Sequence, residues 1–162
     1  MKIAIISDTH KVLGNLVSSL RRQAPDCLIH LGDGIREAAL LKEELEIKVY
    51  AVKGKMDSED DELAMPSTKE TLVLELEGIR FLLTHGHRFG VKEGKVALLA
   101  EAKKQRAAIA LHGHTHIFCD ETVDGIRIIN LGSPVLPKNG DSAGYVIFDT
   151  ETGRAERIFI EV

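Results

Sequence analysis

Short apolar runs and stretches of helical spacing alternate through the first third of the chain. Lys2 to Ile6 is apolar after its first residue, with isoleucine at three positions, the signature of a strand buried on both faces. Val12, Leu13, Leu16, Val17 and Leu20 then recur at helical spacing and stop before Pro25, which disfavours helix in the residue preceding it. Cys27-Leu28-Ile29 reads as a second buried strand. Ala38, Leu41 and Leu45 mark a second helix, and Ile47 to Val52 a third strand. The order βαβαβ predicts parallel strands joined by right-handed crossovers.

The pattern then changes. Thr71 to Leu83 reads as two strands joined at Glu77-Gly78. Asp124-Gly125 separates Glu121-Thr122-Val123 from Ile126-Arg127-Ile128-Ile129, a strong hairpin signal. Tyr145 to Phe148 and Arg157 to Ile160 flank a polar turn containing Gly153. Between these hairpins lie one helix, Val96 to about Gln105, and the strand Ala107 to Leu111. No repeat or linker interrupts the series. We therefore expect a single domain over residues 1–162, of α/β class, built as a two-sheet β-sandwich flanked by helices. Met56 to Ser67 is the longest expected loop, and a long loop in a compact domain is often functional.

Composition narrows the function. The 162 residues are 44% hydrophobic and 28% charged, ordinary for a globular chain able to build a core. Only 4% are aromatic and none is Trp, which argues against a stacking platform for nucleic acid. The net charge is −4, and five acids lie between Asp57 and Glu62, a run expected to be solvated and to repel polyanions. No global basic field points to long nucleic acid or an anionic membrane. Cys27 and Cys119 form no CxxC pair, so a reducing, cytoplasmic setting is expected. The N-terminal apolar run is too short for a signal peptide or a membrane span. An edge strand or helix face could serve a homo-oligomer.

The seven histidines carry the chemistry. Asp8 and His10 follow the first strand, Gly32-Asp33 the second, Lys55 and Asp57 the third. His85-Gly86-His87 follows Phe81-Leu82-Leu83-Thr84, and His112-Gly113-His114-Thr115-His116 follows Ile109-Ala110-Leu111. Parallel strands would bring these residues to one rim, where α/β sheets build their sites. Taken singly, a histidine after a strand is ordinarily structural and an aspartate ordinarily caps a helix. Asp33 could cap the helix after Gly34, and His30 or His112 could be buried, hydrogen-bonded side chains. Together, however, the residues form a carboxylate–imidazole set without thiolates, suited to Mn²⁺, Fe²⁺, Zn²⁺ or Ni²⁺. Six ligands are too many for one ion with an open position. They suit two ions sharing a carboxylate, which clamp a phosphoryl displacement.

In this order, Asp8-Thr9-His10, Gly32-Asp33, Gly54-Lys55-Met56-Asp57, Thr84-His85-Gly86-His87 and Gly113-His114-Thr115-His116 resemble the motifs of the calcineurin-like metallophosphoesterases. The small size and the His-Gly-His form are most similar to the compact YfcE-type phosphodiesterases, whose structural group includes the retromer small subunit. The resemblance implies a β-sandwich flanked by helices and a small phosphodiester substrate attacked by metal-bound hydroxide. It implies Asp8, His10 and His116 on a first ion, Asp33 bridging, and His85 and His114 on a second. Mn²⁺ is expected first, with Ni²⁺, Zn²⁺ or Fe²⁺ as alternatives.

Three positions depart from that pattern. Lys55 stands where the family places an asparagine ligand, and an ammonium has no acceptor to offer a metal. It could swing outward and leave a water in place of the ligand, or take the second site and leave a single ion. It could also bind substrate phosphate. A fourth reading is a non-catalytic scaffold with the same fold. Met56 follows, where many phosphomonoesterases of the family have a proton-donating histidine. This favours diesters over simple alkyl monoesters, with His87 as the alternative donor. Leu131 replaces the usual proline in the turn Asn130-Leu131-Gly132-Ser133.

Overall fold

A computed structural model describes residues 1–161. The chain forms β1 (Lys2–Ile6), α1 (Leu16–Gln23), β2 (Cys27–His30), α2 (Ile35–Leu45), β3 (Lys48–Ala51) and a short α3 (Glu59–Glu62). It continues through β4 (Thr71–Leu76), β5 (Ile79–Thr84), α4 (Val96–Lys104), β6 (Ile109–His112), β7 (Phe118–Val123), β8 (Ile126–Leu131), β9 (Gly144–Asp149) and β10 (Ala155–Phe159). One sheet has the order β10-β9-β1-β2-β3 and the other β4-β5-β6-β8-β7. The central strands of each are parallel, β1 with β2 and β3, and β5 with β6 and β8. Antiparallel strands close three of the four edges, and the parallel β3 forms the fourth.

Strand periodicity explains the layering. In β1, Ile3 and Ile5 enter the core between the sheets, with Ile29, Leu83, Leu111 and Phe148. Ala4 and Ile6 point the other way, onto Leu16 and Leu20 of α1 and Ala38 and Leu41 of α2. Across the second sheet, Leu82, Ala110 and Ile128 pack on Leu98 and Ala102 of α4. Strands buried on both faces have no polar alternation, which is why β1, β2 and β6 read as continuous apolar runs. The result is the expected α/β sandwich with helices outside both sheets. No described helix is long and apolar enough to cross a membrane.

Two details differ from the sequence expectation. The first helix begins at Leu16, not near Val12, because residues 8–14 are bent by left-handed φ values at Asp8, His10, Lys11 and Gly14. The acidic segment is not simply a solvated loop. Asp57 is buried, and the residues after it form α3, closed by a reciprocal Ser58–Asp61 capping box. The two hairpin turns have positive φ at both central residues, 49° and 77° at Glu77-Gly78 and 51° and 78° at Asp124-Gly125, as tight hairpins require.

Candidate metal centre

The two sheets present the carboxyl ends of their parallel strands along the same rim. Asp8 and His10 follow β1, Asp33 follows β2, His85 follows β5, and His114 and His116 follow β6. Five of these six sit at positive φ, between 44° and 72°. This is uncommon for non-glycine residues and collects at functional sites.

The surrounding structure holds them there. Gly113 has no side chain because a Cβ would run into Ser7 Oγ and Asp8 Oδ2. That close approach lets His114 N–H donate to Asp8 Oδ2 at 3.0 Å, beside the 2.6 Å bond from Ser7 Oγ. Asp33 Oδ1 accepts from Met56 N–H at 2.8 Å. His85 Nδ1 contacts the Leu31 carbonyl, and His116 Nδ1 the Leu136 carbonyl, each at 2.8 Å. A carbonyl only accepts, so both Nδ1 atoms carry the proton and both Nε2 lone pairs face the site.

The free donor atoms converge. Asp8 Oδ1 lies 3.2 Å from His116 Nε2, 3.7 Å from His10 Nε2 and 3.7 Å from His85 Nε2. Asp33 Oδ2 lies 3.2 Å from His85 Nε2 and 3.8 Å from His10 Nε2. Two triplets have donor atoms within 4.8 Å of one another, Asp8–His10–His116 and Asp8–Asp33–His85. Asp8 is thus common to both, while Asp33 stands between His10 and His85. His114 is adjacent, its ring 5.1 Å from that of His85, but its donor atoms are not among those triplets.

Buried Asp8 Oδ1 and His85 Nε2 have no hydrogen-bond partner, a costly arrangement for polar atoms without a compensating ligand. A divalent cation supplies what both lack, and the oxygen–nitrogen donor set suits one. Burial works against ionisation of Asp8, but His10, His116 and Ser7 hold its carboxyl well below the usual range. Asp33 is likewise lowered, burial being outweighed by His85 and the Met56 amide. His10 is raised, chiefly by Asp8. His85 is raised because the Asp33 and Asp8 carboxylates overcome its burial. His114 is pushed down to about 4 by burial and by His85.

The remaining expected residues form a second zone. Lys55 is exposed and makes no hydrogen bond or ion pair among the described residues. It lines a cleft of about 480 Å³ with Lys53, Glu70, His87 and Arg88. The His87 ring is 5.4 Å from that of His85, and burial and His85 lower its pKa.

Several supporting residues carried little sequence signal. Asp57, not Asp33, takes the N-terminus of α2. Its carboxylate accepts from the amides of Asp33, Gly34, Ile35 and Gly54 at 2.8–3.1 Å. Asn130 Nδ2 reaches the Gly113 carbonyl and Thr115 Oγ1, and Ser133 Oγ donates to the Asp8 carbonyl. His30 and His112 stay behind the rim as buried side chains. The Asn130–Ser133 turn was the one signal that could have flagged this support.

Residues 1–153 match the sequence profile of the Calcineurin-like phosphoesterase superfamily domain. A protein named as a probable metallophosphoesterase from Mycoplasma pneumoniae is 33% identical over 141 residues, covering 85% of this chain and 82% of that one. A solved archaeal phosphodiesterase is 26% identical with a TM-score of 0.80, over 99% of this chain and 100% of that one. The structure of Yfce, a phosphoesterase from Escherichia coli, is 25% identical with a TM-score of 0.74, over 99% and 100%.

Proposed function

The chain belongs to the calcineurin-like phosphoesterase superfamily, and on that premise we propose that it hydrolyses small phosphodiesters in the cytoplasm using two divalent ions, Mn²⁺ first. At the coarser level the chain is a metal-dependent phosphoric ester hydrolase. The observation that carries the finer reading is the pair of buried, partnerless donor atoms, Asp8 Oδ1 and His85 Nε2, aimed into a set of ionised carboxylates and fixed imidazoles. Asp8, His10, Asp33, His85 and His116, with His114 alongside, would hold the divalent ions, which when bound would supply an activated water and positive charge against the phosphate oxygens.

The chain's own residues do the rest. Asp33, stapled by the Met56 amide, keeps its second oxygen between His10 and His85 and sets the spacing of the two ligand groups. The carbonyls of Leu31 and Leu136 keep His85 and His116 in the tautomer that offers Nε2, a support ordinarily needed for full ligand strength. His87 presents a neutral ring at the cleft and is the residue we assign to hydrogen bonding with the leaving oxygen. Met56 cannot do so, which supports a diester with a stable leaving group over an alkyl monoester.

The direct test is hydrolysis of bis-p-nitrophenyl phosphate with Mn²⁺ and with EDTA. We expect turnover only with metal, and a loss of at least about 100-fold in Asp33→Asn and His85→Ala. Wild-type rates in either variant, or activity in EDTA, would overturn the assignment.

A further inference from the structure

The two openings beside the metal centre differ greatly in size. On the α2 side, His10, Lys11, Arg36 and Met56 enclose only about 40 Å³, room for little more than a water or two. There the Arg36 guanidinium is already held by Asp61 at 2.8 Å. On the other side, the cleft lined by Lys55, His87 and Arg88 offers about 480 Å³, within the range of small-molecule sites. Room for a substrate group beyond the scissile phosphate therefore lies on the Lys55 side.

That cleft is built for an anion. Lys53 pairs with Glu62, and Arg88 with Glu70 at 3.0 Å. Asp57 also borders the cleft, but its carboxylate is occupied by four backbone amides. Lys55 is the cation left without a carboxylate among the described residues. The Arg88–Glu70 pair is solvent-exposed, with Arg88 at 66% and Glu70 at 39%, and exposed pairs of this kind exchange at little cost. An arriving anion thus meets one free ammonium and a guanidinium that is easily drawn away. The root of Lys55 is fixed close to the metal centre. Neighbouring Gly54 packs so tightly on Asp33 that a Cβ would strike its amide and carboxylate, while Met56 N–H bonds Asp33 Oδ1.

We propose that Lys55, assisted by Arg88, forms a subsite for a second anionic group, so that the preferred substrates are small phosphodiesters carrying a further phosphate beyond the scissile one. This rests on the phosphodiesterase reading above and adds the substrate class. It assigns Lys55 an outward, substrate-facing role.

The test measures binding and turnover separately, at low ionic strength with Mn²⁺ present. Binding compares thymidine 3′,5′-bisphosphate with thymidine 5′-monophosphate by calorimetry, in wild type, Lys55→Ala and Lys55→Arg. We expect wild type to favour the bisphosphate by about tenfold, Lys55→Arg to keep most of that ratio, and Lys55→Ala to reduce it below about threefold. Added salt should compress the wild-type ratio. Turnover compares the p-nitrophenyl ester of thymidine 5′-phosphate with its 3′-phosphorylated form, and kcat/KM should follow the same ratios. No preference in wild type, or an unchanged ratio in Lys55→Ala, overturns the subsite whatever the activity. Failure to hydrolyse bis-p-nitrophenyl phosphate overturns the hydrolase reading instead, and the binding ratios still decide the role of Lys55.

Discussion

Asp57 is the residue on which the site's scaffolding turns. Four backbone amides from two loops end on its carboxylate, and its charge lies at the positive end of the α2 dipole. Removing it strands those amides in a buried place, where each lost partner costs roughly 1–3 kcal/mol. Asp57→Ala should therefore destabilise the metal-free protein by at least about 3 kcal/mol in urea unfolding, and Asp57→Asn by less. A loss below about 1 kcal/mol in the alanine variant would show that the loops hold without it. His30 makes a second residue-scale argument. Its Nδ1 accepts from the Gly32 amide, so its Nε2–H donates to Thr9 Oγ1, which donates to Glu37. That chain requires a neutral ring, and burial pushes the His30 pKa down to about 4. His112 is pushed to about 4 by burial as well. Unfolded histidines take up protons near pH 6.5, whereas these two wait until about pH 4. Stability must fall as pH drops through that window, His30 alone accounting for a few kcal/mol at the acid end, on the order of 2–3. His10 and His85 act oppositely, since their raised values give stability that is complete below pH 6.5 and lost as pH rises above it. Urea unfolding in EDTA should thus show a maximum near pH 6.5, and a curve flat from pH 6.5 to 4 would refute the neutral assignment of His30.

At the scale of elements, the legible parts are those whose local chemistry and tertiary role agree. β1, β2 and β6 are apolar on both faces because both faces are covered. The turns Glu77-Gly78 and Asp124-Gly125 announce themselves because positive φ at both central positions demands such residues. The start of α1 was not legible, since Val12 and Leu13 keep helical spacing although the loop before Leu16 is bent to aim Asp8 and His10. The role of Asp57 was hidden for a related reason. Within a run of acids it carries the same local signal as its solvated neighbours, and only the return of β3 beside β2 brings it onto the amides of residues 33–35. The ligand residues were legible because their types are rare together after strands. Their supports were less so, because Asn130 and Ser133 act through backbone groups distant in sequence. The β8 turn therefore makes its own prediction. Asn130→Ala should leave the sheets folded yet weaken Mn²⁺ binding about 10- to 100-fold, by freeing the Gly113–His116 loop. Calorimetric affinities equal to wild type, in a variant with unchanged circular dichroism, would remove Asn130 from the supporting shell.

The whole molecule joins two sheets at this rim, and both contribute donors: Asp8, His10 and Asp33 from one, His85 and His116 from the other, with His114 alongside. An ion held across the rim links the halves and, by binding only the folded chain, stabilises it by mass action, about 2.7 kcal/mol at a hundredfold excess over Kd. The two ligand groups are not equal. Both triplets bring three donors together, but the one around Asp33 and His85 shares Asp8 with the other, and Lys55 beside it, where the resemblance implies an asparagine, offers no lone pair and adds positive charge. Binding should consequently be stepwise, one Mn²⁺ tightly and a second more weakly, each raising the melting temperature in its own concentration range. Lys55→Asn restores an acceptor and removes the charge, so it should tighten the second step by about tenfold or more while leaving the first nearly unchanged. Counting ions by mass spectrometry and titrating both proteins by calorimetry separates the outcomes. Two ions in wild type, with the second strengthened in Lys55→Asn, identifies Lys55 as the residue that weakens an otherwise ordinary dinuclear site. One ion in wild type and two in Lys55→Asn means the lysine has displaced the second ion, and the proposed two-ion chemistry must give way to a one-ion form. No ion in either protein would leave the fold with a binding role only.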